Sequence, residues 1–342
     1  MSVAAPRMLL GFAITEHCNL RCTHCIRDDV TTVRNLEPEL IASVVGQARD
    51  LFGSVLVSLT GGEPLLHAEF PRIIDILAVR RVPYRIVSNG WHLQRELPIL
   101  RRYPPQAVRL SLSGGTSDTH DAERGRGSFR RLLTAVALLT NERIPCYLSL
   151  VVDRRSRHEL RVAADLAESL GCPGISFILP QPTPGSAARN SDLPPQEWFD
   201  AKHAVETLAR EPGRRSQVTL DYGHPFEHDE ELCDTFSLRR IYVDARGRLC
   251  MCCQLSDYGF NEAEVVADLH VVGLAEAHGR YVAGLTELHR AQQPDPANPH
   301  MTDPFPCLRC VRASQKLQWL QGFPQSSWCE AVHGNRPSTS AA

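Results

Sequence analysis

The sequence predicts an α/β fold, a parallel sheet that carries the chemistry followed by a smaller cysteine-rich α+β unit. Short apolar runs alternate with amphipathic stretches six times before residue 180, which is the βα repeat that builds parallel sheets. Beyond Gly213 that alternation gives way to short strands and a Pro-rich stretch. Of twelve cysteines, ten fall into three clusters, at 18–25, 233–253 and 307–329, and only Cys146 and Cys172 stand apart.

The first strand is the apolar run from Met8 to Ile14. Leu36, Leu40, Ile41, Val44, Val45, Ala48 and Leu51 then recur with a period near 3.6, which predicts an amphipathic helix over 36–51. A buried strand over 55–59 is stopped by Gly61-Gly62. The pattern continues as helix 70–80, strand 84–88, helix 93–101, strand 107–112, helix 129–140, strand 146–152, helix 158–170 and strand 175–179. Pro, Gly, Ser and Asn dominate 180–195 and mark a long loop, and a helix over 197–210 follows. Short strands are expected at 218–221, 238–243 and 248–251. The expected division is a first domain over 1–212, a second over 213–333 and a disordered tail over 334–342.

With 37 basic and 39 acidic side chains the formal charge is −2, which leaves no electrostatic footprint for nucleic acid or an anionic membrane. No stretch approaches ~18 uninterrupted apolar residues and the N-terminus lacks a signal-peptide pattern, so a cytoplasmic location is expected. In that compartment twelve cysteines read as metal ligands or reactive thiols rather than as disulfides.

Cys18, Cys22 and Cys25 lie in a CxxxCxxC arrangement directly after the first strand. A structural zinc wants four ligands, with His24 a possible fourth; an iron–sulfur cluster takes thiolates at tight loop spacings, and three leave one metal corner open. On the next βα loop stands Gly61-Gly62-Glu63-Pro64. In βα repeats the ligand sits at the C-terminal ends of the strands, where both loops lie.

These two motifs, in this order, resemble the radical S-adenosylmethionine superfamily. Ser88-Asn89-Gly90 after the third strand, and the run from Ser111 and Ser113 through His120-Asp121 to Arg124-Gly125, extend the resemblance along the chain. It implies a partial (β/α)6 TIM-like barrel. It also implies a [4Fe–4S] cluster on Cys18, Cys22 and Cys25, with S-adenosylmethionine on the open iron and its ammonium on the Gly61–Pro64 loop. Ser88, Asn89, Ser111, Ser113 and Arg124 would complete the cofactor site, Arg124 by a bidentate fork to a carboxylate; Ser113 stands where relatives commonly have Asp. Neither Gly61 nor Gly62 has a Cβ, so this loop is expected to approach the cofactor closely.

Cys233, Cys250 and the pair Cys307–Cys310 resemble the Twitch form of the SPASM extension, in which two thiolates flank a hairpin and a CxxC closes one auxiliary [4Fe–4S] cluster. In Cys250-Met251-Cys252-Cys253 any of three thiols could reach that iron, and spacing selects Cys250. Cys252 and Cys253 then become candidate hydrogen-atom donors, and Cys329 is left over.

The function implied is reductive cleavage of S-adenosylmethionine to a 5′-deoxyadenosyl radical, fed by a flavodoxin- or ferredoxin-type electron donor, and hydrogen abstraction from a substrate carbon. Peptide-maturing relatives often carry an N-terminal leader-binding domain, which is not expected here. The reading therefore favours an amino sugar or aminocyclitol in natural-product biosynthesis, undergoing dehydrogenation or epimerisation. A ribosomal peptide is the second substrate class, and a non-catalytic zinc-binding interaction protein the reading outside enzymes. The acidic, His-containing run from Asp221 to Glu231 would suit a cationic substrate if it lined the barrel mouth.

Overall fold

The computed structural model describes residues 8–26, 33–221, 233, 235–256, 258–259 and 261–333. The expected disordered tail and most of the acidic run lie outside the described residues.

Among the described residues a ten-stranded sheet organises the fold. Its strands are β1 (Met8–Thr15), β2 (Val55–Gly61), β3 (Tyr84–Ser88), β4 (Ala107–Leu112), β5 (Cys146–Val151), β6 (Gly174–Ile178), β7 (Gln217–Leu220), β8 (Arg240–Val243), β9 (Arg248–Cys250) and β10 (Val265–Asp268). They lie in the order β10-β9-β8-β1-β2-β3-β4-β5-β6-β7. From β1 to β7 every pairing is parallel, as the βα alternation requires. The expected α/β architecture with its barrel-like parallel sheet is what the chain adopts.

Helices Pro38–Phe52, Phe70–Val79, Leu93–Arg102, Ser128–Asn141, Leu160–Ser169 and Pro195–Ala209 follow the strands as the periodicity predicts. The first begins at Pro38 rather than at 36 because proline pre-sets φ for the first helical turn. Its buried face, Ile41, Val44, Val45 and Ala48, is the predicted apolar stripe.

The sheet continues through the expected domain boundary. β7 extends the parallel sheet beside β6, and β8 pairs parallel with β1, setting Leu9 opposite Arg240 and Phe12 opposite Val243. β9 and β10 return antiparallel. The cysteine-rich part therefore grows from the β1 edge of the parallel sheet, and β10 and β7 are the outermost strands. Helices Leu274–Ala291, Pro306–Ala313 and Ser327–His333 pack behind it.

Candidate active site

β1 is buried along nearly its whole length and delivers the chain to the cysteine loop at a fixed height. The Gly61-Gly62 turn is clamped there by backbone bonds. Gly62 N donates to Thr15 O (2.7 Å) and Glu63 N to His17 O (2.7 Å). A Cβ on Gly61 would lie 2.3 Å from the Thr15 carbonyl oxygen, and one on Gly62 would lie 2.3 Å from that of His17. The two glycines thus admit the backbone at the end of β1 and the start of the cysteine loop. Gly61 also holds φ +143°, a conformation L side chains rarely adopt.

Pro64 opens a short 3₁₀ turn, Pro64–Leu66, which Glu63 caps. The Glu63 carboxylate is fully buried. Its Oε1 accepts from Ser88 Oγ (2.8 Å) and Leu65 N (3.1 Å), and its Oε2 from Asn89 N (2.7 Å). A carboxylate offers about four lone-pair sites, and these donors fill three. Burial pushes its pKa upward against those hydrogen bonds, so a cation at the fourth site would restore the charged form. Ser88 and Asn89 thus reach the site through Glu63, and Asn89 Nδ2 further donates to Asn19 Oδ1 in the cysteine loop (3.0 Å).

A helix the periodicity did not reveal, Ser117–Arg124, supplies the opposite wall. Arg124 is buried and its Nε donates to Ser113 Oγ (2.6 Å). It stands close enough to Cys22 and Glu63 to favour the charged form of each. Ser111 and Arg124 line one cavity together with His24 and Cys25.

Glu123, between His120 and Arg124, is a residue of the site that type and spacing alone do not mark. It accepts from Thr23 N (2.6 Å) and Thr23 Oγ1 (2.8 Å) and meets His24 Nδ1 at 3.0 Å. Desolvation would raise its pKa, but the bonds from His24 and Thr23 prevail and hold it down at about 2. Cys22, His24 and Glu123 present ligand atoms within 4.8 Å of one another, but Glu123 already spends both oxygens on Thr23. From the other side Thr183 Oγ1 donates to Thr23 O (2.7 Å). Burial pushes the Cys18 thiol up to about 11 and raises Cys22 as well; iron would hold both as thiolates. Three thiols on one clamped loop, beside a buried carboxylate with one acceptor site left and a buried guanidinium, fit a three-thiolate cluster and an amino-acid chelator.

The second set of cysteines lies around the end of β9 and the helix Pro306–Ala313. Cys250 is wholly buried among Ala13, Tyr242 and Ala245, its Sγ directed at Arg248 O (3.7 Å). Cys252, two residues on and past the end of β9, instead stands within electrostatic reach of Cys233 and Cys307. Cys310, on the helix Pro306–Ala313, stands within reach of Cys233. Cys252 thus stands near Cys233 and Cys307, and Cys310 near Cys233, while Cys250 is enclosed at the end of β9. Cys253 lines the same cavity as Cys25. A hydrogen bond from Cys252, and Arg240 nearby, lower Cys253 to about 6.

That cavity is the barrel lumen, about 850 Å³ in volume, within the range of small-molecule sites. Asp221, the first residue of the acidic run, lines it, and so do Arg85, Arg109 and Arg240, which were not singled out from the sequence. The available signal was a charged residue within an apolar strand, Arg85 in β3 and Arg109 in β4. Gly11 leaves room there for the Tyr242 ring, which a Cβ would meet at 2.9 Å. No helix among the described residues is long and apolar enough to cross a membrane.

The model of the Radical SAM superfamily matches residues 12–167. The chain is 26% identical over 211 residues to the AdoMet-dependent heme synthase of Methanosarcina barkeri, covering 60% of this chain and 60% of that protein. It is 28% identical over 176 residues to the antilisterial bacteriocin subtilosin biosynthesis protein AlbA of Bacillus subtilis, covering 48% of this chain and 38% of that one. The chain thus spans 60% or less of the length of these curated relatives. Streptococcus suis SuiB bound to S-adenosylmethionine shares the fold with TM-score 0.70 at 14% identity, over 84% of this chain and 68% of SuiB.

Proposed function

We propose that this chain, which carries a radical SAM domain, holds a [4Fe–4S] cluster on Cys18, Cys22 and Cys25 with S-adenosylmethionine beside Glu63 and Arg124, and takes a hydrogen atom from a substrate carbon in the barrel lumen. The carrying observation is that lumen itself, with Cys25 and Cys253 in its wall and the fully buried Glu63 beside the cysteine loop. When bound and reduced by a flavodoxin- or ferredoxin-type donor, cluster and cofactor supply a 5′-deoxyadenosyl radical.

The chain's own residues do the rest. Glu63 holds the cofactor ammonium, oriented by Ser88 and Asn89; Arg124 holds the carboxylate, oriented by Ser113. Pro64 and the two glycines keep that carboxylate against the cysteine loop, and Ser111 lies on the wall nearest Arg124. Cys233, Cys252, Cys307 and Cys310 hold one auxiliary [4Fe–4S] cluster. With Cys252 on iron its hydrogen bond to Cys253 would be lost and Cys253 would keep its proton; it would then give its S–H hydrogen atom to the substrate carbon radical, forming a C–H bond, and the thiyl left behind would need one electron and one proton, which an auxiliary cluster and solvent could supply. The net result is epimerisation of an amino sugar or aminocyclitol; were Cys253 idle, loss of a second electron to the auxiliary cluster would give dehydrogenation. Peptide maturation is the second reading, favoured by the likeness to a bacteriocin biosynthesis protein.

The test is anaerobic reconstitution followed by turnover in deuterated water. About eight irons per chain are expected, four per cluster. Cys252→Ala is expected to lose about half of them. Cys253→Ala keeps them all and abolishes deuterium uptake into product. Zinc in place of iron would sink the enzyme reading, and a two-hydrogen mass loss in the wild type and in Cys253→Ala would replace epimerisation by dehydrogenation.

A further inference from the structure

Resting on the radical reading above, we infer that the substrate is a ring held by its hydroxyl groups, on a row of hydroxyls that Ser149, Ser176 and Thr219 form across one wall of the lumen, with Gln181 as a further acceptor at the end of that wall. The register sets these residues side by side. Ser149 on β5 lies opposite Ser176 on β6, and Ser176 opposite Thr219 on β7. All three line the lumen. Adjacent strands stand about 4.8 Å apart, so the hydroxyls share one height, and the row continues onto β4 at Ser111, on the cofactor side.

Barrel interiors are ordinarily filled at each level by bulky branched side chains. Here three neighbouring strands supply short polar ones, which opens space and offers hydrogen bonds at the same level. The protein satisfies only part of this row. Thr219 Oγ1 donates to Ser176 Oγ (3.1 Å), whereas the Ser149 hydroxyl, on a residue 6% exposed, has no partner among the described residues. A buried hydroxyl without a partner is costly, so the row fits a ligand whose groups both donate and accept.

Gln181 points to a ligand independently. It lines the same lumen just beyond the end of β6 and is 2% exposed. Its Nε2 donates to Gln254 O (2.6 Å), which fixes the amide, because a flipped amide would set oxygen against oxygen. The Oε1 left over is buried and has no hydrogen-bond partner among the described residues. An amide oxygen only accepts, so the group that completes it carries O–H or N–H. Gln254 follows Cys253 in the chain, and both line the lumen, so that group lies near the proposed hydrogen donor. Tyr147 and Val151, two residues to either side of Ser149 on the same face of β5, also line the lumen. Apolar surface above and below a polar row suits a ring with hydroxyls on its rim and C–H bonds on its faces, and so favours a polyol over a peptide.

Calorimetry on the reconstituted holoenzyme tests this, with S-adenosylhomocysteine saturating so that the cofactor's own ribose is in place. The probes are myo-inositol, glucosamine, cyclohexanol and N-acetylalanine methylamide. Inositol or glucosamine is expected to bind about tenfold or more tightly than the single-hydroxyl ring and the peptide analogue. Ser149→Ala and Ser176→Ala should each weaken that binding by about fivefold, and Gln181→Leu by about tenfold, with no effect from Ser169→Ala on the exposed end of helix Leu160–Ser169. Titrated alone, S-adenosylhomocysteine should bind these variants as it binds the wild type. If one variant fails to fold by circular dichroism, the others decide. An equal loss of S-adenosylhomocysteine affinity in Ser149→Ala and Ser176→Ala would give the row to the cofactor ribose and overturn the inference. So would tighter binding of cyclohexanol or the peptide analogue, binding of none of the four, or polyol binding indifferent to all three substitutions. Wild-type enzyme that forms 5′-deoxyadenosine yet binds neither polyol overturns this inference alone; enzyme that forms none overturns the reading beneath it.

Discussion

His120 shows how a single side chain of the site couples to solution conditions. Its ring is buried, and Nδ1 accepts from Ser113 N (3.2 Å), the residue that orients Arg124. Burial, reinforced by Arg124, lowers its pKa from 6.5 to about 3. Between those values the unfolded chain takes up a proton that the folded chain refuses, so stability falls as pH falls below about 6.5. One titrating group contributes a slope of up to about 1.4 kcal/mol per pH unit. Urea unfolding at pH 7 and pH 5.5 should therefore show the wild type losing about 1 kcal/mol more than His120→Gln; equal losses would mean His120 is protonated in the folded state. At this scale the site was largely legible. Cys18, Cys22, Cys25, Glu63 and Arg124 announce themselves by type and spacing, because ligation and ion pairing restrict which residues serve. Which of Cys250, Cys252 and Cys253 turns towards the other cysteines was not legible, since β9 ends at Cys250 and the turn that follows it sets the other two.

The loop after β6 connects the two halves of the site. Thr183 Oγ1 donates to the Thr23 carbonyl in the cysteine loop and accepts from Ser186 N (3.1 Å), capping helix Pro184–Ala188. Two residues earlier Gln181 Nε2 donates to Gln254 O (2.6 Å), and Tyr258 Oη donates to Pro182 O (2.6 Å), binding the same loop to the turn that carries Cys252 and Cys253. Thr183→Val removes a cap worth about 0.5–2 kcal/mol and leaves a buried carbonyl without its donor. Thermal unfolding should show a loss of about 2 kcal/mol, with reduced iron in reconstituted protein, and Thr183→Ser should restore both. An unchanged iron content would show that the cysteine loop holds its shape without this strut. The sequence marked 180–195 only as a loop, because a run of Pro, Gly and Ser says where regular structure stops and nothing about its partners. The helix Leu274–Ala291 escaped for a related reason: its apolar positions are interrupted by Gly279 and Gly284, which weaken a helical period.

Across the whole molecule, the barrel and the cysteine-rich part share both a sheet and a core. β8 covers the edge of β1, where Met8, Leu10 and Phe12 are buried. Leu274 N donates to Gln47 Oε1 (2.7 Å), and the Phe52 and His278 rings meet at 5.0 Å, joining the helix behind β10 to the first helix of the barrel. On the far side Trp198, from the barrel helix Pro195–Ala209, packs edge-on against Phe305 and Trp328 with centroids 5.0 Å away in each case. Trp328 Nε1 donates to Leu193 O (2.8 Å), so this indole is satisfied as well as buried. Two units divided near residue 212 would unfold in two steps. The shared sheet and aromatic cluster call instead for one cooperative transition. In guanidinium, tryptophan fluorescence and far-ultraviolet circular dichroism should therefore give coincident curves. Trp328→Ala, costing about 3–5 kcal/mol as a large-to-small core change, should move both curves together; a variant in which the fluorescence step moves and the dichroism of the barrel stays put would show that the two parts fold independently after all.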